Sequence, residues 1–207
     1  MWIRLFLLLA ALLPSAVRAQ DLTGHGGPVR ALAVLGDRLA SAGFDQAIIL
    51  WNPSSGRAER VIRWHQGAVH ALATLPDGRF ASAGEDARLA IWGPGDAPEH
   101  ILEGHAEPIA GLAAGPAGLA SAAWDGTVRL WNLATGTARI LLGHQGNVNA
   151  VAFAGGRLHS TGQDGTLRRW DMDGTSLTRA EVGFPRTALL ALPDGSLVSA
   201  GADGHVH

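Results

Sequence analysis

The chain has 207 residues and a formal net charge of −2, and its 16 basic residues are all arginine and scattered. That balance gives no reason to expect nucleic acid as a partner, since such surfaces cluster Lys and Arg. Charged residues reach only 16% and cysteine is absent, which excludes disulfides, Cys-ligated zinc, a thiol nucleophile and a C-x-x-C-H haem attachment within these residues.

The first predicted element, over residues 1–19, is an export signal. Met1–Arg4 is a short n-region with one positive charge, Leu5–Leu13 is an unbroken apolar run, and Val17-Arg18-Ala19 supplies small residues at the two positions that specify cleavage after Ala19. Nine apolar residues are too few to span about 30 Å of hydrocarbon, so no stable membrane anchor is expected. The mature chain is expected to be periplasmic or secreted.

From Leu22 onward the sequence repeats. His25, His65, His105 and His144 recur every 39 or 40 residues. Asp45, Asp86, Asp125, Asp164 and Asp203 keep the same period, and Trp51, Trp92, Trp131 and Trp170 each lie six residues after their Asp. A serine stands four residues before each Asp: Ser41, Ser82, Ser121, Ser160 and Ser199. Self-similarity at about 40 residues is the mark of a repeat architecture.

Each unit reads as four short antiparallel strands. In the third, Pro108–Ala113 alternates in apolar character, residues 115–118 turn, and Leu119–Ala122 forms a second strand. Asp125-Gly126 is a hairpin signal, Thr127–Trp131 a third strand and Ala138–Leu141 a fourth. Four strands per 40 residues make one blade of a β-propeller. The expected fold is all-β. Residues 20–207 divide into blades over 24–63, 64–103, 104–142 and 143–182, with a partial fifth over 183–207, an incomplete ring.

Gly24-His25, Gly104-His105 and Gly143-His144, each followed 26 residues later by Trp, resemble the WD40 repeat. The second unit has Trp64-His65 instead, and after the Trp stand Asn52, Gly93, Asn132 and Asp171, so only the fourth unit carries the literal Trp-Asp pair. The resemblance implies a structural network in each blade, in which the turn Asp holds the His, the His meets the Ser and the Ser meets the Trp. The sets are His25-Ser41-Asp45-Trp51, His65-Ser82-Asp86-Trp92, His105-Ser121-Asp125-Trp131 and His144-Ser160-Asp164-Trp170. A catalytic triad is made once and this set is made four times, and no G-x-S-x-G turn supports a nucleophile. The chain is therefore read as a non-enzyme with no cofactor. His205 and His207 would share one face of a strand, but with no cysteine and no third ligand nearby in sequence they are read as holding no metal.

The resemblance also implies partner contacts at residues flanking the apolar start of the first strand and just before the turn Asp. The candidates are Arg30, Phe44, His70, Glu85, Trp124, Asn147, Asn149 and Gln163. Trp124 and Phe44 stand out as large apolar side chains at positions expected to be exposed, and exposed aromatics beside Arg or His are typical interface anchors. The implied function is a non-catalytic protein-interaction scaffold binding one or more unidentified protein partners. Four and a half blades suggest a fragment with open edges, which would permit self-association. The run from Asp21 to Leu32 behind an export signal is also similar to exported bacterial propellers that continue into a c-type haem domain. The alternative is thus the propeller module of a periplasmic electron-transfer protein, recognisable by a C-x-x-C-H motif beyond these residues.

Overall fold

The computed structural model describes residues 21–115, 117–171, 173 and 175–207. The signal segment over residues 1–19 lies outside them. The described residues form strands and turns only, in four four-stranded antiparallel sheets and one two-stranded sheet.

Blade 1 contains β1 (Val29–Leu35), β2 (Arg38–Gly43), β3 (Ala47–Asn52) and β4 (Arg57–Arg63). Blade 2 contains β5 (Val69–Thr74), β6 (Phe80–Gly84), β7 (Leu89–Trp92) and β8 (His100–Leu102). Blade 3 runs β9 (Ile109–Gly115), β10 (Gly118–Ala123), β11 (Val128–Asn132) and β12 (Thr137–Leu141), and blade 4 runs β13 (Val148–Ala154), β14 (Arg157–Gly162), β15 (Thr166–Trp170) and β16 (Ser176–Glu181). The fifth sheet holds β17 (Arg186–Ala191) and β18 (Leu197–Gly201). In every sheet the strands pair in sequence order, as short hairpin connections require. Four four-stranded blades and an incomplete fifth are therefore present.

The core lies between blades rather than inside them. Leu50 and Ala42 of blade 1 meet Val69, Phe80 and Trp92 of blade 2. Leu89 and Ile91 of blade 2 meet Ile109, Leu119 and Trp131 of blade 3, and Val128 of blade 3 joins Val151, Leu158 and Trp170 of blade 4. Alternate residues of each strand face opposite neighbours, so the middle strands are apolar on both sides: β3 and β7 are buried along almost their whole length. Small residues let the inner strands approach. A Cβ on Gly111 would stand 3.2 Å from the Ala150 backbone.

One irregularity recurs in all five sheets. The pairing of the first strand with the second skips one residue: Arg30 between Val29 and Ala31, His70 between Val69 and Ala71, Ala110 between Ile109 and Gly111, Asn149 between Val148 and Ala150, and Thr187 between Arg186 and Ala188. Each is a β-bulge, which re-aims the extra side chain and increases the local twist. Glycine permits it. A Cβ at Gly43, Gly84, Gly162 or Gly201 would collide with the carbonyl oxygen of Pro28, Ala68, Asn147 or Pro185. Blade 3 has Ala123 at this position, and there the Trp124 N–H still reaches the Pro108 carbonyl at 3.0 Å.

Candidate functional site

The four repeated residues meet in every complete blade. In blade 1, His25 Nδ1 lies 2.9 Å from Asp45, His25 Nε2 lies 2.7 Å from Ser41 Oγ, and the Trp51 indole N–H donates to the same Oγ at 2.7 Å. The same three distances are 2.9, 2.7 and 2.8 Å in blade 2, 2.7, 2.7 and 2.9 Å in blade 3, and 3.0, 2.8 and 2.8 Å in blade 4.

Hydrogen counting sets the proton positions. The indole can only donate, so the serine oxygen accepts from Trp and its own proton points to His Nε2. That nitrogen must be a bare acceptor, which leaves the imidazole neutral with its proton on Nδ1, donating to the carboxylate. Protonating the ring would put a second donor on the serine and strand the hydroxyl proton. Burial pushes the pKa of His105 and of His144 down, against the upward pull of Asp125 and Asp164. On the other side of the pair, burial would raise the Asp164 carboxyl, but the Gln145 N–H, His144 and Thr166 together hold it at about 2. Each aspartate also receives the backbone N–H of the residue after the His, so it ties the loop ahead of the first strand to the turn between the second and third. Ser41, Ser82, Ser121 and Ser160 are all buried, so these hydroxyls are screened from solvent.

Two members of this network escaped the sequence reading. Thr127 and Thr166 donate their hydroxyls to Asp125 and Asp164 at 2.7 and 2.9 Å. The signal was the Asp-Gly-Thr recurring at 125–127 and 164–166. Trp64, in place of glycine, lies edge-on to His65 and Trp92, with ring centroids 4.9 and 5.9 Å away, and so covers its own blade's network.

The bulges carry the residues predicted to meet a partner. Arg30, His70 and Asn149 are themselves bulged. Phe44, Glu85, Trp124 and Gln163 follow the second strand, and their N–H groups bond the carbonyls of Pro28, Ala68, Pro108 and Asn147. Blade adjacency then joins three of them: the His70 ring stands 6.0 Å from Phe44 and 5.7 Å from Trp124. Phe44 is 56% exposed and Trp124 39%, so an aromatic row crosses blades 1, 2 and 3 in contact with solvent. Arg30 lies close enough to His70 to depress its pKa, second to burial itself, and its guanidinium makes no hydrogen bond or ion pair among the described residues.

The remaining candidates are differently placed. Glu85 accepts the Ala68 N–H at 3.0 Å, which commits one oxygen to its own blade. The Asn149 amide donates to the Arg186 carbonyl at 2.8 Å and ties blade 4 to the fifth sheet. Asn147 is half-buried and Gln163 exposed on blade 4. Beside Trp124, a cleft of about 560 Å³ opens between the turn of blade 3 and the loop entering blade 4, with Leu142, Gln145 and Gly146 on its wall.

Comparison with known proteins agrees with this architecture. The family model "WD domain, G-beta repeat" matches residues 17–52, 56–93, 96–132 and 136–171. The chain is 35% identical over 96 residues to coronin-7 of Bos taurus, covering 44% of this chain and 10% of that protein. It is 37% identical over 87 residues to apoptotic protease-activating factor 1 of Rattus norvegicus, of which it covers 7%. A ribosome biogenesis protein WDR12 homolog of Chlamydomonas reinhardtii is 33% identical over 90 residues, 20% of its length. The chain thus spans about a fifth or less of these three relatives.

Proposed function

The chain belongs to the WD-repeat family, and from that membership we propose that it is a non-catalytic docking scaffold whose protein partner seats on the face carrying Phe44, His70 and Trp124. The observation behind this reading is the aromatic row itself. Three rings from three blades stand tilted against one another, Phe44 and Trp124 exposed and His70 half-buried between them, with an arginine at one end that makes no ion pair among the described residues. Aromatic and arginine side chains dominate binding energy when a partner removes them from water, and among the described residues none of these four side chains makes a hydrogen bond.

The test is binding by surface variants. Wild-type chain, Trp124→Ala and Phe44→Ala would be immobilised and exposed to an extract of the source cells, and retained proteins identified. A partner held by the wild type should weaken by about 2 kcal/mol, roughly 30-fold, in Trp124→Ala, with the melting temperature unchanged. A partner held equally by all three chains would place the interface elsewhere.

Export belongs to the same proposal and rests on residues 1–19. Expression with the native N-terminus in a Gram-negative host should release a periplasmic protein beginning at Gln20. An uncleaved chain in the cytoplasm would remove this part and leave the docking surface intact.

A further inference from the structure

The fifth sheet keeps the turn aspartate but loses its histidine. Where blades 1, 3 and 4 have Gly-His and blade 2 has Trp64-His65, the chain has Gly183-Phe184, and Phe184 is 55% exposed. Asp203 is instead gripped from inside by Arg186, which is 2% exposed and donates to both carboxylate oxygens at 3.1 and 2.9 Å. This leaves the outer side of the carboxylate for other groups, and two histidines occupy it. His207 Nε2 lies 2.8 Å from Asp203 Oδ2, and the backbone N–H of His205, not its ring, reaches Oδ1 at 3.2 Å.

The placement is set by the backbone ladder. The His207 N–H donates to the Ser199 carbonyl at 2.9 Å, the Ser199 N–H returns to the His207 carbonyl at 2.8 Å, and Val206 bridges Ala200. Residues 205–207 therefore lie extended beside β18, joined to it by an isolated bridge. Residues i and i+2 of a strand share a face, and the two imidazole rings stand 6.0 Å apart. His207 holds the register that Ile49 holds opposite Ser41 in blade 1, so its position follows the repeat. The sequence reading counted no third ligand for this His-x-His, yet Asp203 stands two residues before it, and one ligand atom each from Asp203, His205 and His207 lie within 4.8 Å of one another.

We propose that Asp203, His205 and His207 bind a divalent transition-metal ion of the zinc or nickel type. Two neutral imidazoles and one carboxylate suit these borderline ions, whereas calcium and magnesium call for oxygen ligands. A tetrahedral ion bound at about 2.1 Å spaces its ligands by about 3.4 Å, so Asp203 Oδ2 and His207 Nε2, hydrogen-bonded at 2.8 Å, separate by roughly half an ångström to admit one. The ion replaces the proton shared by that pair, and rotation of the exposed His205 side chain completes the set. Arg186 holds the carboxylate from behind, the part played by the outer partners that orient metal ligands. Three protein ligands leave positions on the ion for water or for a group from a partner.

The experiment is calorimetric titration of Zn²⁺ into the full chain, prepared without a polyhistidine tag, alongside His205→Gln, His207→Gln and His100→Gln. The His205 ring makes no hydrogen bond among the described residues, so its replacement leaves the fold intact. His100, exposed on β8, is the control. Wild type and His100→Gln should each bind one ion with the same affinity. His205→Gln and His207→Gln should weaken it at least about tenfold, the loss seen when even an outer partner is removed. With Co²⁺ in place of Zn²⁺, a visible absorption band should appear in the wild type and vanish in His205→Gln. An absence of saturable binding in the wild type would overturn the site, as would undiminished binding by His205→Gln.

Discussion

Blades 1 and 2 solve with poor turn chemistry what blades 3 and 4 solve with good. In blades 3 and 4 the turn reads Asp-Gly-Thr: Gly126 and Gly165 take the left-handed conformation (φ +81° and +65°) and a threonine hydroxyl holds the aspartate. In blade 1 the same turn is Asp45-Gln46-Ala47 and in blade 2 Asp86-Ala87-Arg88. Gln46 and Ala87 are forced to φ +64° and +60°, a conformation that costs an L-residue about 1–2 kcal/mol, and no hydroxyl assists. Yet the His–Asp, His–Ser and Trp–Ser distances in all four blades fall between 2.7 and 3.0 Å. The buried tetrad thus sets the turn, and turn propensity only adjusts the margin.

If that is right, breaking the tetrad should cost the same in either half. The largest effect is expected from Trp51→Ala in blade 1 and Trp170→Ala in blade 4, both almost fully buried, at about 3–5 kcal/mol each, read from urea denaturation. Next come Ser41→Ala and Ser160→Ala. Each strands an indole N–H and an imidazole nitrogen, about 1–3 kcal/mol for every buried group left without a partner. Should the blade 1 variants cost far more than those of blade 4, the turn would be sharing the work and the comparison would fail.

Acid should act on the same network in two stages. The folded values of His105 and His144 lie below the ordinary 6.5. As pH falls through 6.5 the unfolded chain therefore takes up protons first, and stability drops until the folded values are passed. Asp45, Asp86, Asp125 and Asp164 lie below the ordinary 3.8, Asp164 at about 2. Their contribution is complete above 3.8 and disappears as pH falls toward 2. Urea midpoints measured from pH 8 to pH 3 should fall in both windows. A midpoint unchanged between pH 7 and pH 5 would show that the buried histidines take up protons as readily folded as unfolded, and a rising one that they are charged in the folded state. The smallest effect sharpens the comparison directly. Gln46→Gly and Ala87→Gly should each stabilise by up to about 1 kcal/mol, and Gly126→Ala should lose a similar amount.

Most of the fold was legible because the repeat brings its own check: three registers at one period leave little freedom in where blades begin. The recurring His, Ser, Asp and Trp were legible for the same reason, while their joining into one network was implied by the resemblance and not by the period. What stayed hidden is what depends on blade meeting blade. Phe44, His70 and Trp124 could each be named from its place in a unit, but their contact exists only because bulges turn them toward one another. Thr127 and Thr166 were obscured by averaging over units, since Ala47 and Arg88 occupy their place in blades 1 and 2. The pairing of Asp203 with Arg186 was invisible because the substitution came from a different position of the repeat, the strand instead of the loop before it.

The bulge at the head of each blade makes the face separable from the frame. A residue dropped from the ladder owes it no register and little packing, so its identity can change while the strands on either side stay put. Arg30, His70, Ala110 and Thr187 are in this sense interchangeable sockets, one to a sheet, whereas Asn149 also ties its blade to the next sheet. A library randomised at these positions should yield chains that fold alike and recognise different targets, because variation is admitted only where the sheet has already let go of the chain.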